Sequence, residues 1–374
     1  MKKSLFQTCL CGAALALIFH TTTSRADDHQ QGALYAMDNA TNGNQVLVFK
    51  RGEDGALTSA GIFATGGTGT GAGLPSQGSL LLSPDGFWLF VCNAGSSEIS
   101  VFALPPEGPV LTDIVASGGR MPISLTLRQN LLYVLNAGGY LGATDNITGF
   151  VLDRGKLRPL PASTLTLSAP NTEPAEVSFA QEGQVLLVSE QATSLIDTFV
   201  LDDGGSAVDH KTFKSAGVQP FGFDVGWKDR VFVSEAVGGM PNASSASSYG
   251  LNWEGDLNVI SGAVPTHQTA ACWLKVSLNG RVAYTANAGS GTISGFQITA
   301  DGSLELLSPG GVSGVTGVGS HPTDMALSRD GRFLYSLNNG NGTLSAFVVN
   351  PDGTLDPVAG ASGLPTSSSG LAGR

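Results

Sequence analysis

Three stretches of this chain align without gaps: LSPDGFWLFVCNAGSSEISVF from Leu82, VSLNGRVAYTANAGSGTISGF from Val276 and LSRDGRFLYSLNNGNGTLSAF from Leu327. Each reads as a strand, an Asp-Gly or Asn-Gly turn, a second strand, a loop rich in Asn and Gly, and a third strand. Weaker copies surround Leu34 to Phe49, Leu132 to Phe150, Val185 to Phe199 and Val231 to Tyr249, which makes seven units. The second strand of each unit ends at Asp38, Asn93, Asn136, Glu190, Glu235, Asn287 or Asn338, at separations of 43 to 55 residues. A unit of that size with about four short strands buries its apolar faces only against neighbouring units, and the period points to a β-propeller. The first strand keeps step, since Gln77, Pro122, Pro174, Pro220, Ala271 and Pro322 fall 14 to 16 residues before their markers. The expected fold is therefore all-β, a seven-bladed β-propeller.

Blade 1 lacks an inner strand of its own, because Leu34 already opens its second one. The tail LPTSSSGLAGR echoes LPSQGSLLLS at Leu74, so the C-terminal segment is expected to return as the inner strand of blade 1 and close the ring. The inner strands alternate with period two. Leu80, Leu125, Val177, Phe223, Leu274 and Met325 form the face toward the blade core, and Ser79, Ser124, Glu176, Gly222, Trp273 and Asp324 the face toward the central channel.

Ahead of the repeats, Lys2 and Lys3 precede an apolar run from Leu10 to Phe19, followed by Ser24-Arg25-Ala26. This reads as a secretory signal over 1–26, with a single propeller domain over 27–374 in the periplasm or outside the cell. The apolar run is about half the ~20 residues needed to span a bilayer, and no later stretch is long and apolar enough. Loss of 1–26 removes Lys2, Lys3 and Arg25 and no acid, leaving 16 basic against 30 acidic residues, a net charge of 16 − 30 = −14. Such a surface disfavours nucleic acid and anionic membranes as partners; a monomer is favoured. Only Cys92 and Cys272 remain, which is no disulfide framework, and their distant blades predict two free thiols.

With the repeats in place, SPDG…NAGSSEISVF, PFGFDVG…VSEAVGG and QTAACW resemble the secreted branch of the β-propeller lactonase family, over essentially all of 27–374. The family includes a phosphogluconolactonase and the lactone-forming carboxymuconate cyclase. The resemblance implies a seven-bladed fold, a site at the mouth of the central channel, and a lactonase or lactone-forming cyclase activity. It carries the family's Glu onto Glu190, in VSEQATSLIDTF. The family's His and Arg positions fall on Ile123 and Ala175, which withdraws the cations that an anionic substrate needs.

The residues themselves suggest where a site would lie. The starts of the inner strands share one face with the loops after the second strands, and that face collects Arg120, Glu173, Gln219, His267, Gln268 and His321. From marker to closing aromatic the spacing is 9 residues in four blades and 11 in blade 1. It is 14 in blade 3 (Asn136 to Phe150, carrying Tyr140) and in blade 5 (Glu235 to Tyr249). Long loops beside a channel mouth are where binding residues concentrate. They flank blade 4, whose marker is Glu190.

Two readings of Glu190 and Glu235 stand side by side: an acid and base pair whose pKa values repulsion and burial separate, or acceptors for N–H groups of their own loops. His267 would be the proton-transfer partner or a plain surface residue. Arg120 would orient a carboxylate or lactone oxygen, or pair with Glu173. Trp273 would stack on a ring-shaped ligand or fill the channel. Asn136, Tyr140, Glu176, Gln268 and Tyr249 complete the expected binding set. No organic cofactor is expected; a calcium ion held by Glu190, Glu235, Glu176 or Asn136 oxygens would make a metal-dependent lactonase. The ligand class is a small lactone, organic acid or sugar-like molecule. The competing reading is a non-catalytic propeller that binds a small molecule, glycan or protein on the same face.

Overall fold

A computed structural model describes residues 32–374; the signal expected over 1–26 lies outside the described residues. Seven antiparallel sheets form the ring, five of four strands and two of five. The second strands end where the markers predicted, at Asn93, Asn136, Glu190, Glu235, Asn287 and Asn338, with Asp38 one residue past Gly32–Met37. The C-terminal strand Ser369–Gly373 pairs antiparallel with Gly32–Met37, Tyr35 facing Ala372, so the last residues close blade 1 as expected. Blades 3 and 6 carry an extra outer fragment, Leu165–Thr166 and Gly314–Val315. Among the described residues no helix is long and apolar enough to cross a membrane.

Five inner strands start where the sequence places them: Pro122–Arg128, Pro174–Ala180, Pro220–Gly226, Ala271–Val276 and Pro322–Leu327. Blade 2 differs, its inner strand running Leu80–Leu82 rather than from Gln77. Gly78 takes φ +81°, a left-handed conformation that glycine adopts without a Cβ penalty. The chain there leaves the blade: Gln77 N–H donates to Ala175 O of blade 4 at 3.0 Å, and its side chain crosses the channel.

Blades are joined by apolar faces and by a recurring polar tie. Tyr133, Tyr284 and Tyr335 donate their hydroxyls to Gly205 O, Gly353 O and Gly55 O in the turn of the following blade. Thr112 and Thr198 do the same to Gly155 O and Gly255 O. Each is a buried or partly buried bond worth about 1 kcal/mol net.

An inner strand is also a sheet edge, whose outward N–H groups need acceptors. The channel-facing residues supply them. Val177 N–H donates to Ser124 Oγ, Phe223 N–H to Glu176 Oε2, Val276 N–H to Asp224 Oδ2 and Leu371 N–H to Asp324 Oδ2. The period-two reading of the inner strands thus holds, and it explains polar side chains at the centre of the ring.

Candidate functional site

The upper face, where the loops after the second strands emerge, meets a sealed channel. Gln77 is buried at its centre. Its Nε2 donates to Glu176 Oε1, Phe223 O and Leu274 O, each at 3.0 Å, while Oε1 accepts Leu274 N–H at 2.9 Å. Trp273 Nε1–H donates to Ser76 O at 2.9 Å, and the ring lies 4.8 Å from that of Phe221. Trp273 and Glu176 are therefore plug residues: both are buried, and the expected ligand contacts of this pair give way to packing and edge satisfaction. Ile123 and Ala175, at the family's His and Arg positions, are also fully buried.

Burial pushes the Glu176 carboxyl well above the usual carboxylate range and that of Asp324 to about 7, against the pull of Lys275. Toward the lower face Asp224, Lys275 and Ser178 become partly exposed. Burial pulls the Lys275 ammonium down, but Asp224, Glu176 and Asp324 outweigh it and raise its pKa.

The marker residues are locked inside their blades. Glu190 is fully buried; Oε1 accepts Ser168 N–H at 3.0 Å, and Oε2 accepts the hydroxyls of Ser168 and Thr193. Glu235 is fully buried with Oε2 on Ser245 Oγ, and Oε1 has no partner. Burial raises its carboxyl to about 7, although the Ser245 hydroxyl opposes the shift. Asn136 donates to Ser117 O and Asn146 Oδ1. Tyr249 is closed in by Ser215 and Ala216 N–H. Glu190, Glu235, Asn136 and Tyr249 thus stand apart from any open surface; the one N–H that Glu190 accepts comes from Ser168, outside its own loop, and the remaining bonds to the two carboxyls come from hydroxyls of Ser168, Thr193 and Ser245. The oxygens named for calcium do not converge either; among the described residues no three His, Cys, Asp or Glu side chains are grouped to hold a metal.

What the upper face does expose follows from one backbone device. The residue before each inner strand of blades 3 to 7 has a left-handed φ: Met121 58°, Glu173 49°, Gln219 62°, Ala270 54° and His321 46°. Its carbonyl accepts the N–H just after the marker, of Ala137, Gln191, Ala236, Ala288 and Asn339 respectively. The mouth position in blade 3 is therefore Met121, with Arg120 one residue outside, and in blade 6 it is Ala270 rather than His267 or Gln268. Gln268 is spent on Gly310 O and Thr292 Oγ1. His267 and Arg120 are exposed, and among the described residues neither has an ion pair; Arg120 does not meet Glu173, and His267 does not meet Glu190.

Over blade 4 these devices converge. Gln191 is buried; its N–H donates to Glu173 O, and its Oε1 accepts Gln219 Nε2 at 3.5 Å. Gln219 Oε1 in turn accepts Gly238 N–H from the long loop of blade 5. This leaves Gln191 Nε2 as a buried donor without a partner. On the other side, the long loop of blade 3 forms a short 3-10 turn, Gly138–Leu141, that holds Tyr140 40% exposed. Burial first, then the charges of Glu173 and Asp145, push the Tyr140 hydroxyl up to about 12, so it stays a donor at neutral pH. The loop lengths pointed to this sector; Gln219 was placed on this face, but Gln191, next to Glu190 in VSEQATSLIDTF, was missed in favour of the carboxylate beside it.

No protein-family profile and no curated protein sequence matches this chain. Solved structures do. A protein of Bacteroides fragilis carrying the provisional name 6-phosphogluconolactonase is 18% identical, with TM-score 0.71 over 92% of this chain and 98% of that one. A protein of Lactobacillus plantarum is 16% identical, TM-score 0.74, over 92% and 99%. The periplasmic gluconolactonase of Pseudomonas aeruginosa is 16% identical, TM-score 0.69, over 90% and 98%. At these identities the likeness establishes a shared fold, the seven-bladed propeller of lactonase-type structures that the repeats resemble.

Proposed function

We propose that this is an exported propeller of the lactonase type that binds a small lactone, organic acid or sugar-like molecule on its upper face, over blade 4. The observation that carries the reading is the unpartnered Gln191 Nε2, oriented by Gln219, with the Gln191 N–H on Glu173 O and the Glu173 charge acting in turn on Tyr140. A buried amide donor held by a fixed neighbour suits a ligand carbonyl oxygen. Tyr140 adds a second donor, Glu173 an acceptor for hydroxyl groups, and Arg120 a cation at the rim. Export is supported by the N-terminal segment of the sequence and by a structural relative named as periplasmic.

Ring opening is the second reading, favoured by the fold shared with proteins named as lactonases. A base must come within hydrogen-bond reach of the attacking water. That role falls to Glu173, which is partly exposed, rather than to the buried Glu190.

Titrating the protein with glucono-δ-lactone, gluconate and non-sugar lactones by calorimetry, with parallel assay of hydrolysis in the presence and absence of a chelator, tests both. Binding weakened by Gln191→Leu supports the site. Binding untouched by Gln191→Leu, Glu173→Gln and Arg120→Gln refutes it. Turnover lost in Glu173→Gln with binding retained identifies the base, and turnover lost only on chelation overturns the side-chain mechanism.

A further inference from the structure

On the lower face, between blades 5 and 6, a cleft of about 510 Å³ is lined by Trp227, Lys228, Arg230, Asn279, Arg281 and Gln297, among others. Three features of it bear on ligand binding. First, Trp227 is 74% exposed, on a turn where Lys228 and Asp229 take left-handed φ values of 62° and 52°. Non-glycine residues hold that conformation at a cost, of order 1–3 kcal/mol each. Second, Lys228, Arg230 and Arg281 form no ion pair among the described residues, although the mature chain is strongly acidic. The acids nearby are turned to other donors through Oδ1: that of Asp229 accepts Gln181 N–H, and that of Asp301 accepts Ser303 N–H and Thr299 Oγ1. Third, the Lys228 ammonium lies 4.6 Å from the centroid of the Trp227 ring, a contact that restrains the indole on one face.

We propose that this cleft is a second ligand site, for a carboxylated sugar of one or two rings. Its volume falls in the range of small-molecule sites. An exposed indole face matches the C–H face of a pyranose, while planar guanidinium groups match a carboxylate in bidentate fashion. Arg230 and Arg281 hold the carboxylate, Trp227 carries the ring, and the Nδ2 of Asn279 with the Oε1 of Gln297 takes hydroxyls; Asn279 Oδ1 is already spent on Ser277 Oγ and Arg281 N–H, and Gln297 Nε2 on Arg281 O. The site shares no residue with the upper face.

The test is calorimetric titration of the protein with digalacturonate, the neutral disaccharide cellobiose and inorganic phosphate. Digalacturonate is expected to bind, weakening as salt rises. Arg281→Gln, Arg230→Gln and Trp227→Ala are each expected to weaken it about tenfold, the size of one lost charge-assisted or stacking contact. These side chains lie at the surface, and an unchanged thermal midpoint verifies folding of each variant. No digalacturonate binding up to ~10 mM, weaker than any useful affinity, overturns the proposal. Equal binding of cellobiose, or phosphate binding that matches digalacturonate and ignores Trp227→Ala, overturns it as well. Gln191→Leu on the upper face is expected to leave digalacturonate binding unchanged, which separates failure here from failure of the lactone site.

Discussion

His210 Nε2 lies 3.3 Å from Oδ2 of the fully buried Asp197, and that oxygen has no other partner. Asp197 Oδ1 accepts Thr212 Oγ1 at 2.9 Å, and the imidazole stacks on Phe199 with ring centroids 4.2 Å apart. Glu190 completes the group. Burial first, then the neighbouring Glu190 charge, raise the Asp197 carboxyl far above the usual carboxylate range, because two adjacent buried carboxyls cannot both ionise. Burial lowers the pKa of His210, though Glu190 and Asp209 pull the other way.

The sign of the resulting pH dependence follows. In the fold Asp197 keeps a proton that the unfolded chain releases above about pH 4, so the unfolded state binds fewer protons and stability falls as pH rises toward the folded value. His210 acts oppositely but more weakly, being partly exposed. Asp197→Asn, which needs no proton, is expected to be more stable than the parent at pH 8, by on the order of 2 kcal/mol, and nearly equal to it at pH 4.5. Urea denaturation at the two pH values measures this; parallel pH profiles for the two proteins would remove Asp197 from the account.

Gln77 gives the second prediction. Gln77→Ala deletes four hydrogen bonds at the centre of the ring and strands Phe223 O, Leu274 O and Leu274 N–H. A loss of about 3–5 kcal/mol is expected, read from the denaturation midpoint. Gln77→Glu is expected to be worse above neutral pH, since it sets a second carboxylate against Glu176. A change under about 1 kcal/mol in both would mean that the plug is not needed.

Spacing made the ring legible, because two independent markers keep step: a Pro or Ala that opens five of the inner strands, and an Asp, Asn or Glu at or just past the end of each of the seven second strands. Side-chain destinations were legible only where a strand's alternation sets them, as for Ser124, Glu176 and Asp324. They were hidden where the chain turns. Gln77 occupies the column of Pro122 and Pro174, yet Gly78 sends it across the channel. Met121 displaces Arg120, and Ala270 displaces His267, because a left-handed φ in a non-glycine residue leaves no mark in the sequence. Glu190 kept its place in the pattern but faces Ser168 and Thr193, a choice of side-chain direction that spacing does not encode.

Ring closure depends on the last strand. Ser369 Oγ accepts Leu74 N–H at 2.9 Å, Leu371 N–H donates to Asp324, and Arg374 N–H donates to Ala33 O. Truncation before residue 366 exposes the edge of Gly32–Met37 and strands a buried carboxylate oxygen. Loss of cooperative unfolding and aggregation of the truncated chain are expected, with partial rescue by a synthetic peptide of residues 366–374. A truncated chain that unfolds at the parent midpoint would show that the clasp is dispensable.

The two cysteines test blade placement directly. Cys92 is fully buried at the end of a blade 2 strand, and Cys272 is buried on the inner strand of blade 6; both are free. Burial raises the Cys92 thiol well above its ordinary range and the Cys272 thiol to about 12. Thiolate, the reactive form, is therefore scarce at both positions at pH 8, and access requires opening of the blade. In a chain beginning at residue 27, neither thiol is expected to react with Ellman's reagent in the native state at pH 8. Both are expected to react in concentrated guanidinium without prior reduction. Rapid native labelling of Cys272 would place it on an open channel wall and contradict the plug of Trp273, Phe221 and Gln77, whereas a requirement for reductant would contradict free thiols.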